Sequence, residues 1–515
     1  MREVMRRAYA FTLDLSWGGF VFLLPFTSLP FLSRLAGGTM VAPASFIPLV
    51  WLAIAWFVPY ILRKGRIPRE SLPLLLFASL AVISSAHAFF MEIPPFKGQF
   101  QLREELSSIL NLMIGMTFYL VTAAWLNSLP KLHSTLKFIN ISGLIVLAWS
   151  FLQAFYIFFA AGQYPYIIQQ IQSIISNRGL FTNSALLPRI TGFAFEPSWL
   201  AQQINLLYLP IWLAASTNRF STQSFRIWKF TLENILLAGG VIIVFLASRV
   251  GALAILVLFT FLLTRYNLRL GRRIHKRVIV LLPRMGQFLQ KTVRVGLSIA
   301  IFLVALLIYL SGAIGVIYVL SRVDWRLTRF FDFQDILYLL STSNFYIIIN
   351  FFTFAERMVY WVAGWQIFIA HPLLGVGLGN AGFFFPQYLP SYAWTLPEAM
   401  DVFYRALSIP NIKSFWIRIL AETGLAGFSA FLAWYYVLWQ SSRFLQSSSR
   451  PLLRTIAVSG LFVLLAFVVE GFSTDTFALP YLWVSLGIVS AAASLSRNSP
   501  VEDAADRVPR SDANS

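Results

Sequence analysis

The chain lacks cysteine and is poor in charge. Its 515 residues contain no Cys, which excludes disulfide bonds, thiolate metal sites and a cysteine nucleophile. Charged residues form only 12% of the sequence, about half the roughly 25% of an average soluble chain. The four histidines, His87, His133, His275 and His371, lack the i, i+4 spacing of a helical zinc site, so we predict chemistry without a metal or other cofactor.

Apolar residues take the place of the missing charge. Hydrophobic side chains form 58% of the chain and aromatic ones 16%. A bilayer core about 30 Å thick needs about 20 apolar residues in a helix, because every backbone polar group must be paired within the segment. The sequence therefore predicts an all-α polytopic integral membrane protein with about 12 transmembrane helices. The predicted segments are 13–33, 42–62, 71–91, 106–126, 138–160, 197–216, 232–248, 249–265, 295–320, 418–440, 454–473 and 477–495.

The cationic residues indicate the orientation of these helices. Lys and Arg outnumber Asp and Glu by 40 to 21, and they concentrate in alternate loops. Because loops rich in Lys and Arg face the cytoplasm, both termini are predicted to be cytoplasmic. The richest loop, 265–294, carries nine cations; we interpret it as a topology determinant that touches anionic membrane lipid and expect no nucleic acid partner. Two long exported loops remain, at about 161–196 and about 321–417, and short helices are expected in the second.

The same pattern divides the chain into four regions. Residues 1–247 hold the N-terminal transmembrane helices with the first exported loop. Residues 248–440 form a core with the second exported loop, residues 441–496 hold the C-terminal transmembrane helices, and 497–515 are a polar tail predicted to be disordered in the cytoplasm.

Two short motifs put charge at the exported ends of helices. After Arg189, Gly192 permits a sharp bend and Pro197 begins a helix, so Glu196 lies at a helix N-terminus. Glu196 is either a capping carboxylate or a functional group. Arg249 begins a span, where it is either functional or an anchor whose guanidinium reaches the lipid head groups.

A third polar stretch covers residues 356–427. Residues 357–369 predict an amphipathic helix with Trp361, Trp365 and Phe368 on one face, ended by His371 before a proline. His371 has a structural and a catalytic interpretation, of which we favour the structural one.

Two further features of this stretch have simple local explanations. Gly375, Gly377 and Gly379 predict a compact turn, because no strand precedes them as in a dinucleotide site. Arg418 and Glu422, spaced i, i+4, predict a helix salt bridge.

Five cations of these motifs can converge at one exported surface: Arg189, Arg249, Arg357, Lys413 and Arg418. Planar guanidinium groups bind phosphate oxygens in pairs and stay charged at any working pH. An arginine-lined mouth beside lipid thus suits a phosphorylated lipid head group, and without an Asp-rich metal site the arginines would stabilise its charge.

In these motifs the chain resembles the O-antigen ligase and polymerase superfamily. Its members are bacterial polytopic membrane proteins that join or polymerise glycans on polyprenyl-pyrophosphate carriers. The resemblance rests on the predicted topology and on motifs in the family's order: Ser248-Arg249-Val-Gly251, Arg357 with Trp361, His371-Pro-Leu-Leu-Gly-Val-Gly, and Leu420-Ala-Glu422-Thr-Gly424.

The resemblance implies a metal-independent glycosyltransferase in the bacterial inner membrane, with its active site on the exported face. An acceptor hydroxyl would attack the anomeric carbon of a lipid-linked donor with inversion, and polyprenyl pyrophosphate would leave. It implies candidate catalytic residues Arg249, Arg357, Lys413 and Glu196, and candidate substrate-binding residues Arg189, Arg418, Trp361 and His371. The partners would be the lipid-linked glycan donor, a glycan or lipid-core acceptor and a chain-length regulator protein.

The general base stays open at this point. Family members commonly carry His and Asn nine and eight residues before the glutamate of Ala-Glu-Thr-Gly, where this chain has Lys413 and Ser414. Lys413 can bind phosphate as a point charge, but it would need a lowered pKa to act as a base. Glu196 is the second candidate.

Ligase and polymerase share these motifs, and the Phe-Glu-Pro-Ser-Trp segment around Glu196 looks more like polymerases. A small-anion or solute transporter and a lipid-linked flippase are the other functions considered. Transporters tend to have internal repeats and broken helices. The sequence shows no half-repeat, and Glu470 and Asp14 are its only clear ionisable residues within spans.

Overall fold

The computed structural model describes residues 2–35, 41–180, 189–281, 287–321, 328, 331–341, 355–406 and 408–498. These ranges are predominantly helical, consistent with the predicted all-α membrane protein. Their one sheet is a two-stranded hairpin of Arg226–Ile227 (β1) and Phe230–Thr231 (β2), which are antiparallel.

Helices of very different length follow one another along the chain. The α-helices are Arg2–Phe22 (α1), Pro30–Leu35 (α2), Phe46–Leu52 (α3), Val58–Leu62 (α4), Leu72–Ala88 (α5), Gln101–Trp125 (α6), Leu129–Phe159 (α7), Tyr166–Ile175 (α8), Pro197–Gln203 (α9), Leu209–Asn218 (α10), Leu232–Ala247 (α11), Arg249–Leu281 (α12), Gln287–Ser321 (α13), Phe333–Ser341 (α14), Ala355–Ala370 (α15), Phe385–Tyr388 (α16), Pro397–Met400 (α17), Phe415–Leu445 (α18), Pro451–Glu470 (α19) and Pro480–Asn498 (α20). Shorter 3₁₀ turns are Arg69–Ser71, Ala381–Phe384 and Ser391–Thr395, and π-helical turns are Ala53–Phe57, Ile204–Tyr208 and Asp401–Arg405.

Seven helical stretches in the described residues are long and apolar enough to cross a membrane. They are Arg69–Ala88, Gln101–Trp125, Leu129–Phe159, Arg249–Asn267, Lys291–Gly312, Phe415–Leu445 and Pro451–Glu470. Phe46–Leu62 and Leu232–Ala247 are shorter apolar helices. Each of the twelve predicted segments overlaps a helix, while twelve crossings and their orientation stay a prediction.

Several predicted boundaries were wrong. The first segment, 13–33, is not one helix, because α1 covers Arg2–Phe22 and a turn separates it from α2. The cationic stretch 265–294 is largely helical, since α12 extends to Leu281 and α13 begins at Gln287. The predicted break near Ser248 is confirmed: α11 ends at Ala247, Ser248 is extended, and α12 begins at Arg249.

The compact units of the structure have other bounds than the four regions of the sequence, whose division stays a prediction. The chain divides into two compact units, Met1–Gly251 with Ala355–Ser515, and Ala252–Phe354. Residues 355–440 belong to the first unit because α15 packs on α18, and α18 packs on α5, α19 and α20. Within the second unit, the Tyr309 hydroxyl donates to the Leu256 carbonyl at 2.8 Å and ties α13 to α12.

The helix α18 is interrupted at Gly424, inside a candidate span. Gly424 has φ 61° and ψ −165°, and an added Cβ there would lie 2.3 Å from the Leu373 carbonyl oxygen. The glycine turn that follows α15 supplies the missing hydrogen bonds. Gly377 donates to the Glu422 carbonyl at 3.0 Å, and Leu425 donates to the Pro372 carbonyl at 2.8 Å. The broken ends of the helix are thereby paired, as a nonpolar surrounding requires.

The predicted compact turn is confirmed in detail. Gly375, Gly377 and Gly379 have φ values of 70°, 85° and 82°, in the left-handed region that favours glycine. A Cβ at Gly375 would lie 2.5 Å from the Ala421 carbonyl oxygen. The glycines thus allow the turn to lie directly against the backbone of α18.

Hydrogen bonds between loops far apart in the sequence join helix ends that are predicted to lie on the same side of the membrane. The buried Glu70 accepts hydrogen bonds from Ser441 and Arg497, which ties three predicted cytoplasmic regions together. Lys97 donates to the carbonyls of Ala406 (2.6 Å) and Ser408 (3.2 Å), which joins two predicted exported ones. Arg497 lies in α20 and is not part of a disordered tail; residues 499–515 lie outside the described residues.

Candidate functional site

Two predicted site residues, Trp361 and Arg418, contact the end of α19 and the chain that follows it, residues 470–477, here called the 470–477 connection. Its contacts are the Glu470 carboxylate with Asn205 (2.7 Å), the Gly471 carbonyl with the Phe415 N–H (2.7 Å), the Phe472 ring with Trp361 (centroids 5.4 Å apart), the Asp475 carboxylate with Asn411 (3.3 Å) and the Asp475 carbonyl with Arg418. Segments far apart in the sequence therefore meet at this 470–477 connection.

Arg357 and Glu470 form the electrostatic centre of this region. Arg357 is half-buried on α15 and makes no hydrogen bond or ion pair within the described residues. Its guanidinium lies close enough to Glu470 to stabilise the carboxylate, whose residue is only 1% exposed. As far as the described residues go, its N–H donors are therefore all open to another group.

Asn205 links Glu470 to the start of α12. Its amide nitrogen donates both to Glu470 and to the Gly251 carbonyl, at 3.0 Å from the latter. Gly251 permits the close approach, because an added Cβ would lie 2.6 Å from the Ala201 Cβ. Arg249 is half-buried and lies two residues before Gly251. The hydrogen bonds of Asn205 thus hold the start of α12, where Arg249 lies, close to the end of α19.

Lys413 lies just before α18. Its φ of 52° is unusual for a residue with a side chain, and its N–H donates to the Asn411 side chain at 3.2 Å. Its ammonium lies 4.8 Å from the centroid of the Tyr360 ring. Tyr360 is one helical turn from Arg357, so Lys413 brings a second positive charge near that arginine.

Arg418 forms the predicted salt bridge with Glu422, at 3.0 Å and almost fully buried. The rest of its guanidinium is also engaged: Nη1 donates to the Asp475 carbonyl and Nη2 to Ser108 at 3.2 Å. Glu422 accepts a further bond from the Gly379 N–H. This pair joins α18, α6, the glycine turn and the 470–477 connection, and it has little capacity left for a ligand.

The predicted aromatic face of α15 is not its packed face. Trp365 is 47% exposed, whereas Val359, Ala363 and Ile367 are buried. Small and branched side chains pack against α18 because Gly364 allows close approach to Ile412 and Ile417. Trp361 is half-buried against Phe472, and its buried indole N–H has no hydrogen-bond partner among the described residues.

Glu196 precedes α9, and Pro197 is at the start of that helix as predicted. The carboxylate does not cap the helix: it accepts from the Ser198 hydroxyl at 3.0 Å, and its side chain bonds no backbone N–H of the first turn. Gly192 makes the predicted bend with φ 58°, where Gln153 accepts its N–H at 2.9 Å.

Neither Arg189 nor Glu196 has a contact with the 470–477 connection in the described residues. Both are half-buried. Glu196 is tied to the site through its helix, which continues through the π-helical turn to Asn205.

The described side-chain contacts of His371 include none of the other candidates. It is half-buried, and its ring centroid is 5.6 Å from that of Phe384. Burial, together with the nearby His87, lowers the pKa of His371. A neutral imidazole packed on a phenyl ring fits the structural interpretation.

Sequence reasoning missed the residues that complete the site. In the sequence, Glu470 stands out only as an ionisable residue within a span, and neither Gln202 nor Asn205 is singled out. Buried carboxylates in helices also include Glu105 and Glu233, so Glu470 and Asp14 are not the only candidates. The overlooked signal was a run of amides, Gln-Gln-Ile-Asn, inside an apolar segment.

Comparison with known protein families and with curated proteins gives no match for this chain. Its function is therefore argued from the residues and their geometry.

Proposed function

We propose that the protein is a membrane glycosyltransferase that polymerises or ligates lipid-linked oligosaccharide and releases polyprenyl pyrophosphate. The observation that carries this is Arg357, a half-buried residue whose guanidinium has no hydrogen bond or ion pair in the described residues and is within electrostatic range of the buried Glu470 carboxylate. A cation kept partly out of water, with its donors unused, suits an anionic substrate group.

The pyrophosphate of a lipid carrier fits this position. As the acceptor hydroxyl attacks, the bond from the anomeric carbon to the phosphate oxygen breaks, and its electron pair stays on the leaving pyrophosphate. Arg357 stabilises that growing charge, with Arg249 at the adjacent start of α12 and Lys413 beside Tyr360. The lipid chain of the carrier would remain in the surrounding bilayer.

Lys413 serves as a phosphate ligand, because its ammonium lies over the ring of Tyr360, which is one helical turn from Arg357. Glu196 is the candidate base that takes the proton of the acceptor hydroxyl. Since it does not cap α9, its carboxylate is held only by Ser198 among the described residues. Arg418 has a positioning role through Glu422 and Asp475, not direct contact with substrate.

Transfer by the full-length protein in nanodiscs tests the proposal. Lipid-linked oligosaccharide would be extracted from the cells that naturally make the protein, and release of polyprenyl pyrophosphate and growth of the glycan would be followed. Arg249→Ala and Arg357→Ala are expected to abolish release. Release that both variants leave unchanged would refute the site. Offering glycan and lipid-core acceptors separately distinguishes a polymerase from a ligase.

A transporter of small anions is the second candidate, and one observation favours it. The span α18 is broken at Gly424, with a buried ion pair one turn before the break, and broken helices are typical of transport sites. Uptake of a labelled anion into proteoliposomes, without any glycan transfer, would replace the enzyme proposal by this one.

A further inference from the structure

An unusual group of buried amides lies beside the proposed pyrophosphate position. Gln202 and Asn205 are 1% and 0% exposed, and both occupy the helix that begins after Glu196. Within the described residues, neither amide atom of the Gln202 side chain has a hydrogen-bond partner, and neither has the Asn205 side-chain carbonyl oxygen. Buried polar groups are nearly always paired in folded proteins, so these atoms indicate a missing partner.

Gln202 and Asn205 lie on one face of their helix, and Asn205 binds Glu470 from that face. Gln202 and Asn205 are three residues apart, so their side chains are neighbours on the helix. Asn205 donates to Glu470 at 2.7 Å, and it lies within the π-helical turn Ile204–Tyr208. Such turns are rare in helices and occur often at functional sites.

The chemistry of the open atoms restricts the ligand. Gln202 offers both a donor and an acceptor, and Asn205 adds an acceptor. A metal cation would leave the Gln202 N–H groups unpaired and would be repelled by Arg357. A hydroxyl group both donates and accepts, and neighbouring hydroxyls on a sugar ring match a side-chain amide at two points.

We propose that Gln202, Asn205 and Glu470 bind hydroxyl groups of the saccharide of the lipid-linked donor, next to Arg357. This rests on the proposed function and extends it, because it divides the site in two. Arg357 recognises the pyrophosphate, which every carrier lipid has. The amides and Glu470 recognise the sugar.

Gln203 provides a matched control. It is also fully buried, and neither of its amide atoms is paired in the part of the chain that the structure describes, but it is turned about 100° from Gln202 around the helix. Gln202→Leu and Gln203→Leu each remove one unpaired buried amide, so both variants are expected to fold. Only the first removes a group from the face that carries Asn205.

The experiment measures binding of two radiolabelled lipids to the full-length protein in nanodiscs. One is lipid-linked oligosaccharide from the native cells, and the other is polyprenyl pyrophosphate without sugar. Gln202→Leu is expected to weaken binding of the sugar-bearing lipid at least tenfold and to change binding of the bare lipid less than twofold. Gln203→Leu should change neither by more than twofold, and Arg357→Ala should weaken both.

Three results would overturn the inference. The wild-type protein could bind both lipids equally, Gln202→Leu could leave binding of the sugar-bearing lipid unchanged, or it could weaken both lipids alike. With glycan transfer intact in the wild type, any of these refutes the sugar site alone and leaves ordered water as the partner of the amides. A wild type that binds neither lipid and transfers no glycan refutes the proposed function as well.

Discussion

Two arginine–glutamate pairs near the 470–477 connection differ in how completely they are satisfied. In the first, Arg418 donates to Glu422, Ser108 and the Asp475 carbonyl. In the second, Arg357 is within electrostatic range of Glu470 but forms no hydrogen bond among the described residues. The residue types are the same in both pairs, whereas the number of open donors is not.

The difference separates structure from binding. A buried guanidinium with its donors used locks the elements around it, and a ligand would have to displace those bonds at a cost of their energy. An arginine with open donors loses no protein contact when an anion arrives. We therefore assign Arg418 to the architecture and Arg357 to the substrate, although the sequence motifs present both as cations of one site.

The largest expected effect is the loss of stability in Arg418→Met. Removing one partner of a buried pair leaves the Glu422 charge uncompensated, which costs about 3–5 kcal/mol. The double variant Arg418→Met/Glu422→Gln removes the charge and keeps the acceptor for Gly379, so it should regain most of that stability. Thermal unfolding of the purified protein in detergent measures both. A double variant as unstable as the single one would contradict the assigned role.

Arg357→Met should show the opposite behaviour. Loss of a guanidinium that stabilises the leaving pyrophosphate is expected to lower the rate of release about 10²- to 10³-fold. The unfolding temperature should fall less than in Arg418→Met, because only the electrostatic interaction with Glu470 is lost, and no described hydrogen bond or ion pair. Arg357→Lys should restore only part of the rate, since an ammonium cannot bind two phosphate oxygens in a planar fork. Equal loss of stability in Arg357→Met and Arg418→Met would remove the distinction between the pairs.

Local sequence patterns predicted one pair and not the other. Arg418 and Glu422 are four residues apart, so helical spacing alone predicts their contact. The same holds for the break at Ser248 and the bend at Gly192, where backbone preference acts over a few residues. The second pair, Arg357 and Glu470, joins two different helices. Asn205, which donates to the same Glu470, lies 265 residues before it in the chain. Their contact depends on which helices pack together, and apolar periodicity indicates a buried face without naming its partner.

The break in α18 was missed for a related reason. Gly424 within an apolar run predicts at most a weak point in a helix. The break is stabilised by the turn at Gly375 and Gly377, which supplies hydrogen bonds from a segment far earlier in the chain. Neither segment alone indicates that its backbone is hydrogen-bonded to the other. The two glycine motifs become informative only when their backbones are seen side by side.

Lys413→Met should lower the rate of pyrophosphate release less than Arg357→Met does. The two variants compare two cations of the proposed pyrophosphate site. Loss of one charged contact to phosphate is worth about 1.5–3 kcal/mol, so release should fall about ten- to hundredfold. Lys131 is a matched control, because its ammonium lies 4.0 Å from the centroid of the Trp125 ring, outside the site. Lys131→Met should release pyrophosphate at the wild-type rate. Similar losses in the two variants would indicate general damage instead of a phosphate contact.

His371→Gln is expected to have the smallest effect on transfer, below threefold at pH 7.5. It tests whether His371 takes part in the chemistry of either arginine–glutamate pair. Burial and His87 lower the pKa of His371, so the folded protein favours the neutral ring more than the unfolded chain does. This contribution to stability is complete above the unfolded pKa of about 6.5 and is lost as pH falls through the folded value. The unfolding temperature should therefore fall less in His371→Gln than in the wild type between pH 7.5 and pH 5. A large loss of transfer at pH 7.5, with an unchanged unfolding temperature, would instead make His371 a catalytic group. His371 would then replace Glu196 as the proposed base.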